Sequence, residues 1–293
     1  MAAFYCVYKM IVIYLKRLTL TTAFISAIFM YIREDIRYLY RLYEKYDDIP
    51  TTLHLSAYRA EIQAKPVEGV TDNLSGLTWS DKHRLLFAVV NNPPEIVWLT
   101  QEGSRIESLA LPEIADPEAV EWVGDNLFRI GSEKDSVAWL VNIDIHARSY
   151  TIISKIELDD FDQPKNKGLE GLAWDKEKHR LFAAKEKKPL IISVIKIHNH
   201  AKEDIPACAT ASLKDVSGLH YHAATSSLLV LSDESKKVVE INTEGRTVDR
   251  LYLTAGWSGL SEDIPQAEGI ALDDAGDLYI VSEPNLFYRF TKK

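Results

Sequence analysis

Five copies of one short pattern carry the residues in this sequence that could do chemistry. A serine or acidic residue comes first, then a small residue, an aliphatic, any residue, and an aromatic or aliphatic. The copies are Ser75-Gly76-Leu77-Thr78-Trp79, Glu118-Ala119-Val120-Glu121-Trp122, Glu170-Gly171-Leu172-Ala173-Trp174, Ser217-Gly218-Leu219-His220-Tyr221 and Glu268-Gly269-Ile270-Ala271-Leu272. A second polar residue keeps step with each head, 15 to 17 positions later: Asn91 or Asn92, Glu133, Glu186, Asp233 and Glu283. If the head opens one strand and the second residue closes the next, an antiparallel hairpin sets the two side by side. Seven carboxylates then crowd into one region, and they cannot all ionise without compensation. Ion pairs from Lys134 and Lys185 to their neighbours Glu133 and Glu186 are one answer. Capping of backbone amides on a neighbouring repeat is another. A bound hard cation is the third, since Ca²⁺ takes 6–8 oxygen ligands of the kind gathered here. The expected ligands are Glu118, Glu170, Glu268 and Glu283, with Glu186, Asp233, Glu133 and Asn91 beside them.

The elements that must position these residues follow from the repeat. The aliphatic positions are separated by 43, 52, 47 and 51 residues. Each copy leads through a polar turn into a second apolar strand (LLFAVV, LFRIG, LFAAK, LLVLS, LYIVS) and then a third (EIVWL, SVAWLVNI, LIISVIKI, KVVEI, LFYRF). Fourth strands follow in several copies, as RIESLAL, TIISKIEL and TVDRLYL. Three to four strands in about 40–50 residues is the signature of a β-propeller. The expected fold is all-β, a five-bladed propeller over residues 55–293, whose inner strands line a central channel. A sixth blade is the alternative, and only the irregular stretches 198–213 and 254–266 have room for it. The last copy ends one strand short at Lys293, and open sheet edges must be covered. Residues 58–64, YRAEIQA, precede the first copy and are predicted to supply the missing outer strand.

Residues before the repeat have a different character. Residues 18–32 form an uncharged run, LTLTTAFISAIFMYI, preceded by Lys16-Arg17 and a shorter apolar stretch over 10–15. A spanning helix takes about 17–25 apolar residues. Residues 10–32 reach that length if the basic pair snorkels. No small-residue cleavage site follows the run, which favours an uncleaved signal anchor; a cleaved signal peptide and an interfacial amphipathic helix are the alternatives. The predicted order is a tail over 1–9, an anchor over 10–32, a stalk over 33–54 and the propeller. Basic residues flank the run on both sides, so charge does not orient it. With an anchor between them, Cys6 and Cys208 lie in different compartments and cannot pair.

Composition narrows the classes further. The formal charge of −9 excludes a global basic footprint, so no nucleic-acid partner is expected. Two cysteines exclude a disulfide scaffold and a cysteine zinc cluster. Nucleophile-elbow, Walker, HExxH and EF-hand motifs are absent. His198-Asn199-His200 and His220-Tyr221-His222 each set two imidazoles on one strand face, but no third ligand accompanies them. The plainer reading is packed or surface histidines.

The chain resembles the SdiA-regulated family. The segments that carry the likeness are SGLTW with LLFAVVNNPPEIVWL, GLEGLAW, KEKKP, LLVLSDES and QAEGIALDDAGDLYIVSEPNLFYRF. The resemblance implies a propeller held in the periplasm by a single pass through the inner membrane, with a link to calcium responses. The Glu-Gly head is also similar to that of calcium-dependent gluconolactonase and alkaline-phytase propellers, in which such a Glu can bind metal. Ser75 and Ser217 replace it in two copies, so no complete ligand set carries over. Three functions are therefore weighed: a module binding calcium or a small polar ligand at its channel mouth, a calcium-dependent hydrolase, and a scaffold for protein partners. The first is favoured, because the mouth is too acidic for work on polyanions.

Overall fold

The computed structural model describes residues 52–158, 168–187, 189–205, 213–242 and 245–293. Among the described residues, twenty strands form five four-stranded antiparallel sheets, each a blade of the propeller. Blade 1 is β2 (Leu74–Ser80), β3 (Leu85–Asn91), β4 (Pro94–Leu99) and β5 (Arg105–Ala110). Blade 2 is β6 (Pro117–Gly124), β7 (Leu127–Ser132), β8 (Val137–Asp144) and β9 (Ser149–Glu157). Blade 3 is β10 (Leu169–Asp175), β11 (Arg180–Lys185), β12 (Ile191–Lys196) and the three-residue β13 (Lys202–Asp204). Blade 4 is β14 (Gly218–His222), β15 (Ser227–Ser232), β16 (Lys237–Ile241) and β17 (Thr247–Tyr252). In blade 5, β18 (Ala267–Leu272), β19 (Leu278–Ser282) and β20 (Leu286–Lys292) are completed by β1 (Tyr58–Pro66), which pairs antiparallel with β20.

The closing strand therefore lies where the sequence puts it. The described part of stretch 198–213 contributes β13 to blade 3, 254–266 holds turns and bends, and the described residues form five sheets. The described compact unit begins at Thr52. Thr52 and Leu53, expected at the end of a stalk, already bond to Glu240 of blade 4, and Leu53 is buried in the core. The expected anchor over 10–32 lies outside the described residues. No helix among the described residues is long and apolar enough to cross a membrane.

The core is a set of clusters between adjacent blades. Phe87, Val89, Ile96 and Trp98 of blade 1 pack on Val120, Phe128 and Ile130 of blade 2, with the Phe87 and Phe128 rings 4.7 Å apart. Strand alternation explains this, because successive side chains point to opposite sheet faces and each face meets a neighbouring blade.

The small residue after each head marks where inner strands touch. A Cβ on Gly269 would fall 2.7 Å from Leu77 N on blade 1, and one on Gly171 would fall 2.8 Å from the Leu219 side chain on blade 4. Gly76 has φ +39, and a Cβ on it would fall 2.8 Å from Glu118 O and 2.9 Å from Val120 N of blade 2. These positions keep the channel narrow and bring the head residues together.

Candidate functional site

The site is built by a defect in the inner hairpins. In blades 2, 3 and 5 the register between the first two strands shifts at the head, between Pro117 and Ala119, Leu169 and Gly171, and Ala267 and Gly269; in blade 1 the shift falls one residue later, at Gly76, and Ser75 stays paired with Val89. A bulge re-aims the side chain it displaces. The displaced heads line the end of the channel. The second residues follow their strands directly: Asn91 closes β3, and Glu133, Glu186, Asp233 and Glu283 come just after β7, β11, β15 and β19.

All eight expected residues, Asn91, Glu118, Glu133, Glu170, Glu186, Asp233, Glu268 and Glu283, line one cavity of about 390 Å³. Of the two asparagines, Asn91 is the one that lines it. Ser217 does too, while the hydroxyls of Ser75 and Ser217 donate to Glu118 O and Ala267 O on the next blade, at 3.0 and 2.6 Å. The serine heads thus serve as inter-blade ties.

The acidic residues divide by partner. Gly168 N on blade 3 donates to Glu133 Oε1 at 2.9 Å, and Ala267 N on blade 5 donates to Asp233 Oδ1 at 3.1 Å. Lys236 Nζ also reaches Asp233 at 2.6 Å. These two second-ring acids cap the neighbouring blade, as one sequence reading had it. Glu186 is held by Lys187 Nζ at 2.5 Å, and the same ammonium reaches Glu234 at 2.8 Å. Asn91 Nδ2 donates to Glu118 Oε1 at 2.6 Å.

Glu170 differs from these. No hydrogen-bond donor among the described residues reaches its carboxylate, and the residue is only partly buried where it lines the cavity. Burial raises its pKa well above the ordinary value, and Glu118, Glu133, Glu268 and Glu186 raise it further. Burial likewise pushes Glu268 up to about 9, with Glu118, Glu283 and Asp233 adding to the shift and Gln266 opposing it. Glu118 is pushed up to about 8, again chiefly by burial. Glu283 is raised by burial and by Asp72.

Three residues that the sequence reading passed over also belong here. Asp116 joins Glu118 and Glu133 in a group whose carboxylate oxygens lie within 4.8 Å of one another. Asp215 and Gln266 line the cavity, and Asp215 accepts from Ser232 Oγ and the Glu234 amide. All three lie two positions before a head residue. The corresponding residues in the other copies are Asn73 and Gly168. A third register of mostly polar residues was therefore present in the repeat. Its signal is weaker because it varies in type, with Asn, Asp, Gly, Asp and Gln.

A five-bladed propeller with an acidic channel mouth is the class that this fold and site define. Within that class the chain belongs to the SdiA-regulated family, whose model matches residues 51–291. Among solved structures, a crystal structure of Myxococcus xanthus glutaminyl cyclase is similar with a TM-score of 0.58 and 11% identity. The match covers 80% of this chain and 95% of that one. A chain in the crystal structure of a nidogen/laminin complex gives a TM-score of 0.49 at 11% identity, covering 72% of this chain and 73% of that one. At such identity the glutaminyl cyclase likeness extends to the fold and no further.

Proposed function

We propose that this protein is a calcium-binding propeller, tethered by residues 10–32 to the inner membrane and facing the periplasm. The observation that carries the reading is the Glu170 carboxylate, in an oxygen-lined cavity with no donor of its own. A partly buried carboxylate without a partner is costly, and a hard cation is the compensation this donor set suits. Glu118, Glu170 and Glu268 would hold the ion, with Asp116, Glu133 and Glu283 close enough to share its charge. Hydrolysis of phosphate esters is disfavoured by the same geometry. It needs cationic groups facing the substrate, and Lys187, a lysine of the cavity wall, is engaged by Glu186 and Glu234.

A ligand bound only by the folded state stabilises it by about 2.7 kcal/mol at a hundred times its dissociation constant. The melting temperature is therefore expected to rise with Ca²⁺, and the Glu170→Gln, Glu268→Gln double variant is expected to lose that rise. Identical melting in calcium and in chelator, with no heat of binding, would leave the carboxylates as structural groups. Tethering has its own test. Protease added to spheroplasts should digest the propeller, whereas protection of the propeller from protease would overturn the orientation.

A further inference from the structure

The far end of the channel holds a second cavity, of about 450 Å³, with different chemistry. Strand β14 connects the two ends. Ser217, just before it, is at the acidic mouth, and His222 closes it five residues on, about 16 Å away at about 3.3 Å per residue. His220 and His222 both line this second cavity, as alternate residues on one strand face.

A one-way chain of hydrogen bonds fixes the state of His222. Buried Glu240 receives Thr52 Oγ1 at 2.7 Å, the Leu53 amide at 3.0 Å and Ser227 Oγ at 2.6 Å. Ser227 spends its proton on Glu240, so it must accept from Thr225 Oγ1, 2.6 Å away. Thr225 in turn must accept from His222 Nδ1, at 2.7 Å. His222 therefore carries its proton on Nδ1, and Nε2 keeps its lone pair. This is the orientation that outer-shell partners impose on metal-binding histidines.

His220 supplies the second observation. Its Nδ1 is buried with no hydrogen-bond partner among the described residues, so Nε2 is the nitrogen the ring can offer to the cavity. Burial, with a smaller push from His222, holds its pKa down at about 3, and burial also lowers that of His222. Both rings are therefore neutral near pH 7, the form that ligates metals. The carboxylates around them are engaged. Asp273 takes Gln101 Nε2, the Tyr279 hydroxyl and two turn amides, while Asp274 takes Arg84.

We infer that this cavity binds a divalent transition-metal ion, Zn²⁺ or Cu²⁺, through Nε2 of His222 and through the His220 imidazole. Imidazole nitrogen suits these ions and not calcium, so calcium does not compete at this end and the titration is run in excess Ca²⁺ to fill the acidic mouth. No third His, Cys or carboxylate among the described residues closes with the pair into a three-ligand group. Water completes the coordination sphere and leaves positions open.

The experiment is titration of the full chain with Zn²⁺ by calorimetry and with Cu²⁺ by electron paramagnetic resonance. One equivalent is expected, and the Cu²⁺ spectrum should show coupling to two nitrogens. His222→Ala and His220→Ala should each abolish or greatly weaken binding. Thr225→Val, which keeps the ring and removes its acceptor together with the bond to Ser227, should weaken binding ~10-fold. Glu170→Gln, Glu268→Gln at the other mouth and His198→Ala, His200→Ala at the exposed pair should leave binding unchanged. Each variant is first checked for an intact melting transition, and Thr225→Val decides the matter if the histidine variants unfold. Undiminished binding in His222→Ala and Thr225→Val, or loss of binding in either control pair, overturns the assignment.

Discussion

With calcium chelated, the protein is expected to melt at a higher temperature at pH 6.5 than at pH 8.5. Burial raises Glu118 and Glu121 to about 8 and Glu268 to about 9, against an ordinary value of 4.5, and raises Glu170 well above it. A carboxyl raised in the folded state binds its proton more tightly there than in the unfolded chain. Its contribution is complete below about pH 4.5 and is lost as pH rises toward the folded value. Between pH 6.5 and 8.5, Glu118, Glu121 and Glu268 each give up about 2 kcal/mol, at about 1.4 kcal/mol per unit. Asp116, Asp215 and Glu283 are raised too, chiefly by burial, and act in the same direction. His83, His220 and His222 are lowered, chiefly by burial, and each is still half protonated in the unfolded chain at pH 6.5, so together they oppose the trend by about 1 kcal/mol, well below the carboxylate loss. Asp144, Glu157 and Asp175 are lowered too, and they act only in acid. On the proposed function, calcium should bind the ionised mouth and remove most of the difference. Glu121 accepts from Thr78 Oγ1 and Trp174 N between blades, so its share should persist in calcium and vanish in Glu121→Gln. Calorimetry at both pH values, with chelator and with calcium, reads all of this. A melting temperature in chelator that climbs from pH 6.5 to 8.5 would mean that the mouth carboxylates are ionised without help.

The inner hairpins were legible in the sequence because they repeat under the tightest constraint. Gly171 and Gly269 cannot carry a larger side chain without striking the next blade, and the heads beside them must reach one channel. Closure was legible for a related reason, since a last copy without a fourth strand demands one from elsewhere. Strand β13 was hidden because three residues give no period to read. The pairing of Glu186 with Lys187 was not legible, because adjacent lysines cannot be ranked before the backbone is in place. Asp116 escaped because its role depends on geometry: with φ +53 just before Pro117, it turns back toward Glu118 and Glu133. His222 was visible as one of a histidine pair, but its state was not, because its hydroxyl relay crosses from a turn to the third strand of the blade, a path no motif spells out.

Removal of the Tyr58 side chain is expected to cost more stability than any other truncation in β1. Tyr58 opens the closing strand and is fully buried, and its hydroxyl donates to Gly276 O at 2.7 Å. Its ring belongs to the cluster that joins Leu53 and Leu55 to Tyr288 and Phe290 of blade 5 and Leu251 of blade 4, with Lys292 Nζ 5.4 Å above it. The rest of β1 alternates toward solvent, so most of its anchorage falls on this residue and Ile62. Aromatic truncations in a packed core cost about 3–5 kcal/mol, against a total of about 5–15 kcal/mol for a domain. Tyr58→Ala should therefore remove a large part of the stability. Tyr58→Phe, which loses only the hydrogen bond, should cost about 1 kcal/mol. Ile106 on the outer strand of blade 1 is half exposed, and Ile106→Ala should fall within about 0.5 kcal/mol of the parent. Urea unfolding of the three variants separates the cases. If Tyr58→Ala costs no more than Ile106→Ala, β1 is an ornament on the edge of blade 5 and the ring is held shut by the remaining inter-blade contacts alone.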